Sequence, residues 1–183
     1  MSKKRKLNRL RKFDYNQQGY YYLTICTKNR AKFFAEVSDN NIALSRIGKI
    51  ANKFWIAIPE HFQNIELDEY IIMPEHIHGI IIVNNDAGNA DLPSFKYVSP
   101  QCSPNPKGND SNRSKMLISK IIHGFKSSAT REIRKQFPDC DFEWQKSYYD
   151  HIIRDSNDLD RIREYITDNP RNWKTDMIED VGD

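Results

Sequence analysis

The run HIHGIIIV at residues 76–83 constrains this chain more than any other stretch. Seven β-branched or imidazole side chains around one glycine, with no acid or lysine among them, predict a central, buried strand. Just upstream, residues 67–73 form a second isoleucine-rich run, separated from the first only by Pro74 and Glu75. That spacing predicts a β-hairpin or two closely connected antiparallel strands.

The remaining elements are arranged around this pair. YYYLTICT at residues 20–27 is aromatic and β-branched and follows Gly19, which predicts a first strand. Residues 43–58 carry Leu44, Ile47, Ile50, Ala51, Phe54, Trp55 and Ile58 at helical spacing before Pro59, a helix ended by a proline. Asn, Asp, Ser, Pro and Gly dominate residues 84–112, so a long polar loop is expected there, a lid, binding loop or insertion. Helical periodicity resumes over residues 114–137 and closes at Pro138, and FEWQKSYYDHII at residues 142–153 predicts another strand. Asp155 can cap a last helix with Leu159, Ile162 and Ile166 inward, which Pro170 is expected to end near Asn169. The order β-α-β-β-α-β-α predicts an α+β, ferredoxin-like (split βαβ) fold: a four-stranded antiparallel sheet with helices on one face, plus a C-terminal helix.

At 183 residues the chain has the length of one domain, divided here into a basic arm (1–19), a domain (20–173) and an acidic tail (174–183). Its 38% hydrophobic and 11% aromatic content excludes wholesale disorder even with 29% charged residues. No stretch approaches the roughly 20 apolar residues of a membrane helix, and MSKKRKLNRLRK lacks the apolar run of a signal peptide. A cytosolic protein is expected. Cys26, Cys102 and Cys140 have no CxxC spacing and read as reduced thiols.

Charge is concentrated rather than large. Residues 1–12 hold seven basic and no acidic side chains, residues 175–183 hold four acidic and no basic ones, and the net charge is +3. Within residues 107–135, Lys107, Arg113, Lys115, Lys120, Lys126, Arg131, Arg134 and Lys135 face only Asp110 and Glu132. Two basic zones on an otherwise neutral body suit a polyanion such as nucleic acid. They also suit a solvated helix face beside a frayed arm.

His76 and His78 are two apart on a predicted strand, so both imidazoles point to the same side and can reach one ion. Such a pair alone is a weak signal, because histidines in an apolar strand are commonly buried and hydrogen-bonded. Glu75 offers a further ligand or an orienting partner, but as the neighbour of His76 it would face the opposite side of the strand and is expected in the preceding turn. On the last helix Tyr165 and Asn169 are four apart and share a face. Each alone reads as a rim or terminal residue. Taken with the histidines, they supply three neutral ligands and a phenol, a set suited to Mg²⁺ or Mn²⁺ gripping a phosphate.

MPEHIHGIIIV and the distal YITDNP resemble the HUH single-tyrosine transposases of bacterial insertion sequences, in particular the REP-associated tyrosine transposases. The resemblance covers residues 20–83 and 115–173, including WQKSYYDHIIRD before the tyrosine helix. It implies that His76 and His78 bind a divalent metal, that Tyr165 attacks DNA and that Asn169 completes the metal site. It also implies a ferredoxin-like catalytic sheet, in agreement with the element order. The long loop lies outside what the resemblance informs.

The function so implied is a metal-dependent single-strand DNA endonuclease and strand transferase of the bacterial nucleoid, acting on hairpin or repeat DNA. Attack by Tyr165 would leave a 5′-phosphotyrosine and a free 3′-hydroxyl, which stores the phosphodiester energy without ATP. A phenol titrates near pH 10, so Tyr165 must lose its proton during attack. Lys115, Lys120, Lys126 and Arg131 are the candidate phosphate contacts, with the basic arm ordering on DNA. Tyr148 and Tyr149 are alternative nucleophiles, one on each strand face; His61, His123 and His151 are assigned to surface or packing. Related enzymes include monomers and dimers. A rival is a non-catalytic single-strand-binding module on the same sheet, which accounts for the charge and the aromatics but not for His76, His78, Tyr165 and Asn169 as a set. A second rival is a metal hydrolase with water as nucleophile.

Overall fold

A computed structural model describes residues 18–38, 40–84 and 117–179, with side chains through residue 173. Lys115, nearly all of the 84–112 loop and most of the basic arm lie outside the described residues.

Strands β1 (Gly19–Cys26), β4 (Ile65–Ile72), β5 (His76–Val83) and β6 (Tyr149–Ile153) form one sheet in the order β4-β5-β1-β6. All three pairings are antiparallel, and the order is that of the split βαβ fold. β5 is paired along its length by β1, from Gly19↔Val83 to Cys26↔His76, and by β4 on its other edge, and all eight of its residues are buried. Alternation along β5 then divides its side chains between two cores. Ile77 and Ile81 join Trp55, Ile121 and Phe125 beneath the helices α1 (Arg46–Ile56) and α3 (Leu117–Gln136). Gly79 sits on that face because a Cβ there would come within 2.3 Å of the Trp55 ring. Ile80 and Ile82 join Tyr20, Tyr22 and Ile153 beneath Leu159, Ile162 and Ile166 of helix α4 (Ser156–Glu179). The sheet therefore carries α1 and α3 on one face and α4 on the other.

Several local expectations are corrected. Leu44 belongs not to the first helix but to a hairpin, β2 (Ala35–Ser38) with β3 (Asn41–Leu44), turned at Asn40, which adopts a φ of 64°. Ser45 then caps α1, accepting from the Gly48 amide at 2.9 Å. Pro59 does not stop the helical path: it occupies the first turn of a short helix α2 (Ile58–His61), where its missing N–H has no partner to lose. Only Tyr149–Ile153 of the expected strand 142–153 is regular. Before it, Trp144 makes an isolated bridge to Thr27, and the Lys126 ammonium takes the Gln145 carbonyl at 2.8 Å and that of Ser147 at 3.4 Å. Those carbonyls are thereby turned from the sheet to α3.

The last helix behaves differently from expectation at its far end only. Asp155 caps it, its carboxylate accepting from the Asp158 amide at 2.8 Å. Pro170 lies inside the helix, which runs on to Glu179. The proline removes one backbone donor, but Ile166 before it and Trp173 after it are both buried, and packing on either side holds the helical path.

Candidate active site

The α4 face of the sheet collects every second residue of three strands. Cys26 pairs with His76, Thr24 with His78, and Thr24 with Tyr149, so these side chains share one surface. The two imidazoles stand with centroids 4.4 Å apart at 65°. Over them lies one ridge of α4, built from residues four apart: Tyr165, Asn169 and Trp173. The Tyr165 ring is 5.4 Å from His78, and the Trp173 ring is 5.9 Å from His76. Asn169, one turn from each, is 1% exposed. The structure thus brings all four predicted residues together. α4 is fastened across the sheet by Arg163, whose guanidinium donates to both carboxylate oxygens of Asp68 at 3.0 and 2.5 Å. A register shift between Leu67 and Tyr70 marks the point on β4 where Asp68 meets it.

The polar atoms differ in how they are occupied. His78 is held: its Nδ1 lies 2.8 Å from the Tyr22 hydroxyl and 3.0 Å from the Thr24 hydroxyl. Burial, then His76 and Arg30, push its pKa well below the usual histidine value, so the ring is a neutral base. By contrast, both ring nitrogens of His76 and both amide atoms of Asn169 are buried with no hydrogen-bond partner among the described residues. Buried polar groups are almost always paired. Two such side chains against a neutral imidazole fit a divalent ion, with an amide oxygen and two ring nitrogens as donors. Among the described residues no three His, Cys, Asp or Glu side chains cluster as a metal site, which leaves room beside the histidine pair for a donor of another residue type. Asn169 is placed for it.

Glu75 holds the turn, its carbonyl accepting from the Thr27 amide at 2.8 Å and hydroxyl at 3.0 Å. Its buried carboxylate also lies 3.9 Å from His76 Nδ1 and 3.4 Å from the Arg30 guanidinium. Tyr165 and Tyr149 are exposed at 44% and 43%, while Tyr22 beneath them is buried. Tyr149 shares the site face; Tyr148 faces α3, its hydroxyl 3.1 Å from Ser119 Oγ. His151 pairs with Asp158 at 2.8 Å, consistent with a packing role, and His123 is exposed on α3.

The predicted phosphate contacts among the described residues lie apart from this site. Lys120 and Arg131 are exposed on α3, across the sheet from α4. Lys126 is half-buried beside Trp144 and Tyr148 with its ammonium on two carbonyls, and burial lowers its pKa to about 8. Sequence reasoning missed Tyr22, Thr24 and Trp173. The first two depend on the register of β1 against β5, which alternation within YYYLTICT does not give; the third was hidden by ending the helix at Pro170.

Comparison with known proteins follows this geometry. A solved structure of a REP-associated tyrosine transposase bound to a REP hairpin is similar in fold, with a TM-score of 0.55 and 18% identity, over 94% of this chain and 74% of that one. An uncharacterized protein of Haemophilus influenzae is 34% identical over 171 residues, 93% of this chain and 90% of its own. The "Transposase IS200 like" family model matches residues 111–169, a segment that runs through α3 and β6 to Asn169. The matched segment is that of an IS200-like transposase domain. It includes Tyr165 and Asn169, whereas His76 and His78 lie upstream of it and join the site only through the sheet. No helix among the described residues is long and apolar enough to cross a membrane.

Proposed function

We propose that this chain is an IS200-like transposase, a metal-dependent single-strand DNA endonuclease and strand transferase that joins the cut strand to Tyr165. One observation carries the reading: α4 lays an exposed tyrosine beside His78 and, one turn on, a buried unpartnered amide between it and the contact of Trp173 with His76. His76, His78 and Asn169 would hold Mg²⁺ or Mn²⁺. When bound, the ion supplies Lewis-acid polarisation of the scissile phosphate. The chain's own residues do the rest. Tyr165, on a helix capped at Asp155 and clasped to Asp68, is held at the rim, where a phosphodiester can approach it in line. Its oxygen forms the bond to phosphorus as its proton leaves, the bond to the 3′ oxygen breaks, and a 5′-phosphotyrosine remains with a free 3′-hydroxyl. Return of a 3′-hydroxyl reverses the step.

Hairpin or repeat single-stranded DNA is the proposed substrate, supported by the fold shared with a transposase bound to a REP hairpin. Lys120 and Arg131 provide phosphate contacts on α3. Incubation of the full chain with hairpin oligonucleotides and Mg²⁺ or Mn²⁺ tests the reading. A covalent protein–DNA species mapping to the YITDNP peptide is expected, lost in Tyr165→Phe and kept in Tyr149→Phe. Cleavage without an adduct would instead indicate water as nucleophile, and tight binding without cleavage a non-catalytic module.

A further inference from the structure

The hydroxyls around His78 form a closed group. Nδ1 to Tyr22 Oη is 2.8 Å, Nδ1 to Thr24 Oγ1 is 3.0 Å, and Thr24 Oγ1 donates to Tyr22 Oη at 3.3 Å. All three side chains come from the central strand pair, with Thr24 directly opposite His78 and Tyr22 opposite Ile80. The Tyr22 ring also stacks on the His78 ring, centroids 5.6 Å apart at 23°, which fixes the plane of the imidazole as well as its edge. His76, by comparison, has neither nitrogen hydrogen-bonded among the described residues, its Nδ1 lying 3.9 Å from the Glu75 carboxylate. One histidine of the pair is therefore oriented by the protein and the other is left adjustable.

A neutral imidazole carries one proton, and the nitrogen that faces an ion must be the bare one. With Nδ1 directed at two hydroxyl oxygens, Nε2 is the atom left for the ion, and this requires Nδ1 to be the donor. A hydroxyl oxygen accepts readily. Tyr22 Oη at the shorter distance is the principal acceptor, with Thr24 Oγ1 as the second. Such outer partners of a ligating histidine fix both its tautomer and its direction.

We infer that Tyr22 and Thr24 are positioning residues that accept the Nδ1 proton of His78 and thereby present its Nε2 to the metal. The inference rests on the metal-site reading above and deepens it. Neither residue touches phosphate. Their removal acts on metal capture and leaves the nucleophile in place.

Two measurements on the full chain separate the inference from the reading beneath it. Long-range ¹H–¹⁵N correlation of the histidine rings in the metal-free protein is expected to show His78 protonated at Nδ1, and to show the proton moved wholly or partly to Nε2 in the Tyr22→Phe/Thr24→Val variant. A wild-type ring protonated at Nε2 overturns the inference. Mn²⁺ titration followed by electron paramagnetic resonance is expected to give affinity about 10- to 100-fold weaker in the same variant, with Thr24→Ser close to wild type because it keeps the hydroxyl. Metal-free binding of a single-stranded oligonucleotide should stay within twofold, a control for folding. Unchanged Mn²⁺ affinity in the double variant also overturns the inference, while a wild-type chain that captures no Mn²⁺ removes the metal site itself and the inference with it.

Discussion

Asn169 is the residue at which folding and function pull apart. Its amide is 1% exposed and neither end has a partner among the described residues. Leaving a buried polar group unpaired costs about 1–3 kcal/mol. A leucine, with the same branched side-chain shape, would remove that cost, so Asn169→Leu is expected to raise the thermal midpoint of the metal-free protein by about 2–12 °C, at about 2–4 °C for each kcal/mol in a chain of this size. The same change deletes the proposed third ligand, and Mn²⁺-dependent adduct formation should fall at least tenfold. Asn169→Ala should slow adduct formation too, without the gain in stability, because it exchanges the amide for a void. A leucine variant less stable than wild type would mean that the amide is satisfied in the folded protein.

At the scale of elements, α3 combines an exposed basic face with one lysine that has been drawn inward. Lys126 is held near 8 by burial, against 10.5 for the ordinary side chain. Between those values the unfolded chain binds more protons at this site than the folded one, so this contribution to stability rises with pH and is lowest below about pH 8. Lys126→Met cancels the dependence. Urea midpoints at pH 7.5 and 9.5 should therefore show wild type gaining roughly 1–2 kcal/mol relative to the variant across that interval; parallel profiles would place the ammonium in solvent. The elements were unequally legible in the sequence. β5 and α3 declared themselves through long apolar periodicity, because the cores that bury them are deep. Pro170 and Pro59 misled because a proline's local penalty was weighed without the packing beyond it, Trp173 in one case and the short α2 in the other. The β2–β3 hairpin was missed because four-residue strands with two or three apolar side chains each leave little pattern to read. His76, His78, Tyr165 and Asn169 were singled out by their conjunction and a family resemblance, since strand and helix spacing alone is a weak signal, whereas Tyr22 and Thr24 become visible only once the register of β1 against β5 is known.

For the whole molecule, the sheet separates two kinds of surface. The α4 face carries the exposed Tyr149 and Tyr165, and the α3 face carries a shallow groove lined by Lys126, Ser127, Thr130, Arg131 and Arg134. If DNA is gripped through phosphates along α3, affinity for hairpin or single-stranded oligonucleotides should fall steeply with salt and exceed that for blunt duplex. Each lost contact lowers the slope of log affinity against log salt by about 0.7 for single strands, so Arg131→Ala should flatten it by about that amount while the adduct yield at saturating DNA is kept. An unchanged slope would assign Arg131 to solvent. The clasp between Arg163 and Asp68 bears on a different property. It seats the tyrosine helix on the sheet that carries the histidines; if the active enzyme keeps that arrangement, damage to one cannot be made good by a neighbour that lacks the other. Chains bearing His76→Ala mixed with chains bearing Tyr165→Phe should remain inactive at every ratio, and the wild-type rate per chain should be indifferent to dilution. Recovery in the mixture would reveal helices traded between molecules. A transposase complete in one chain would act as soon as a single copy met its target, without waiting for a second copy to be made.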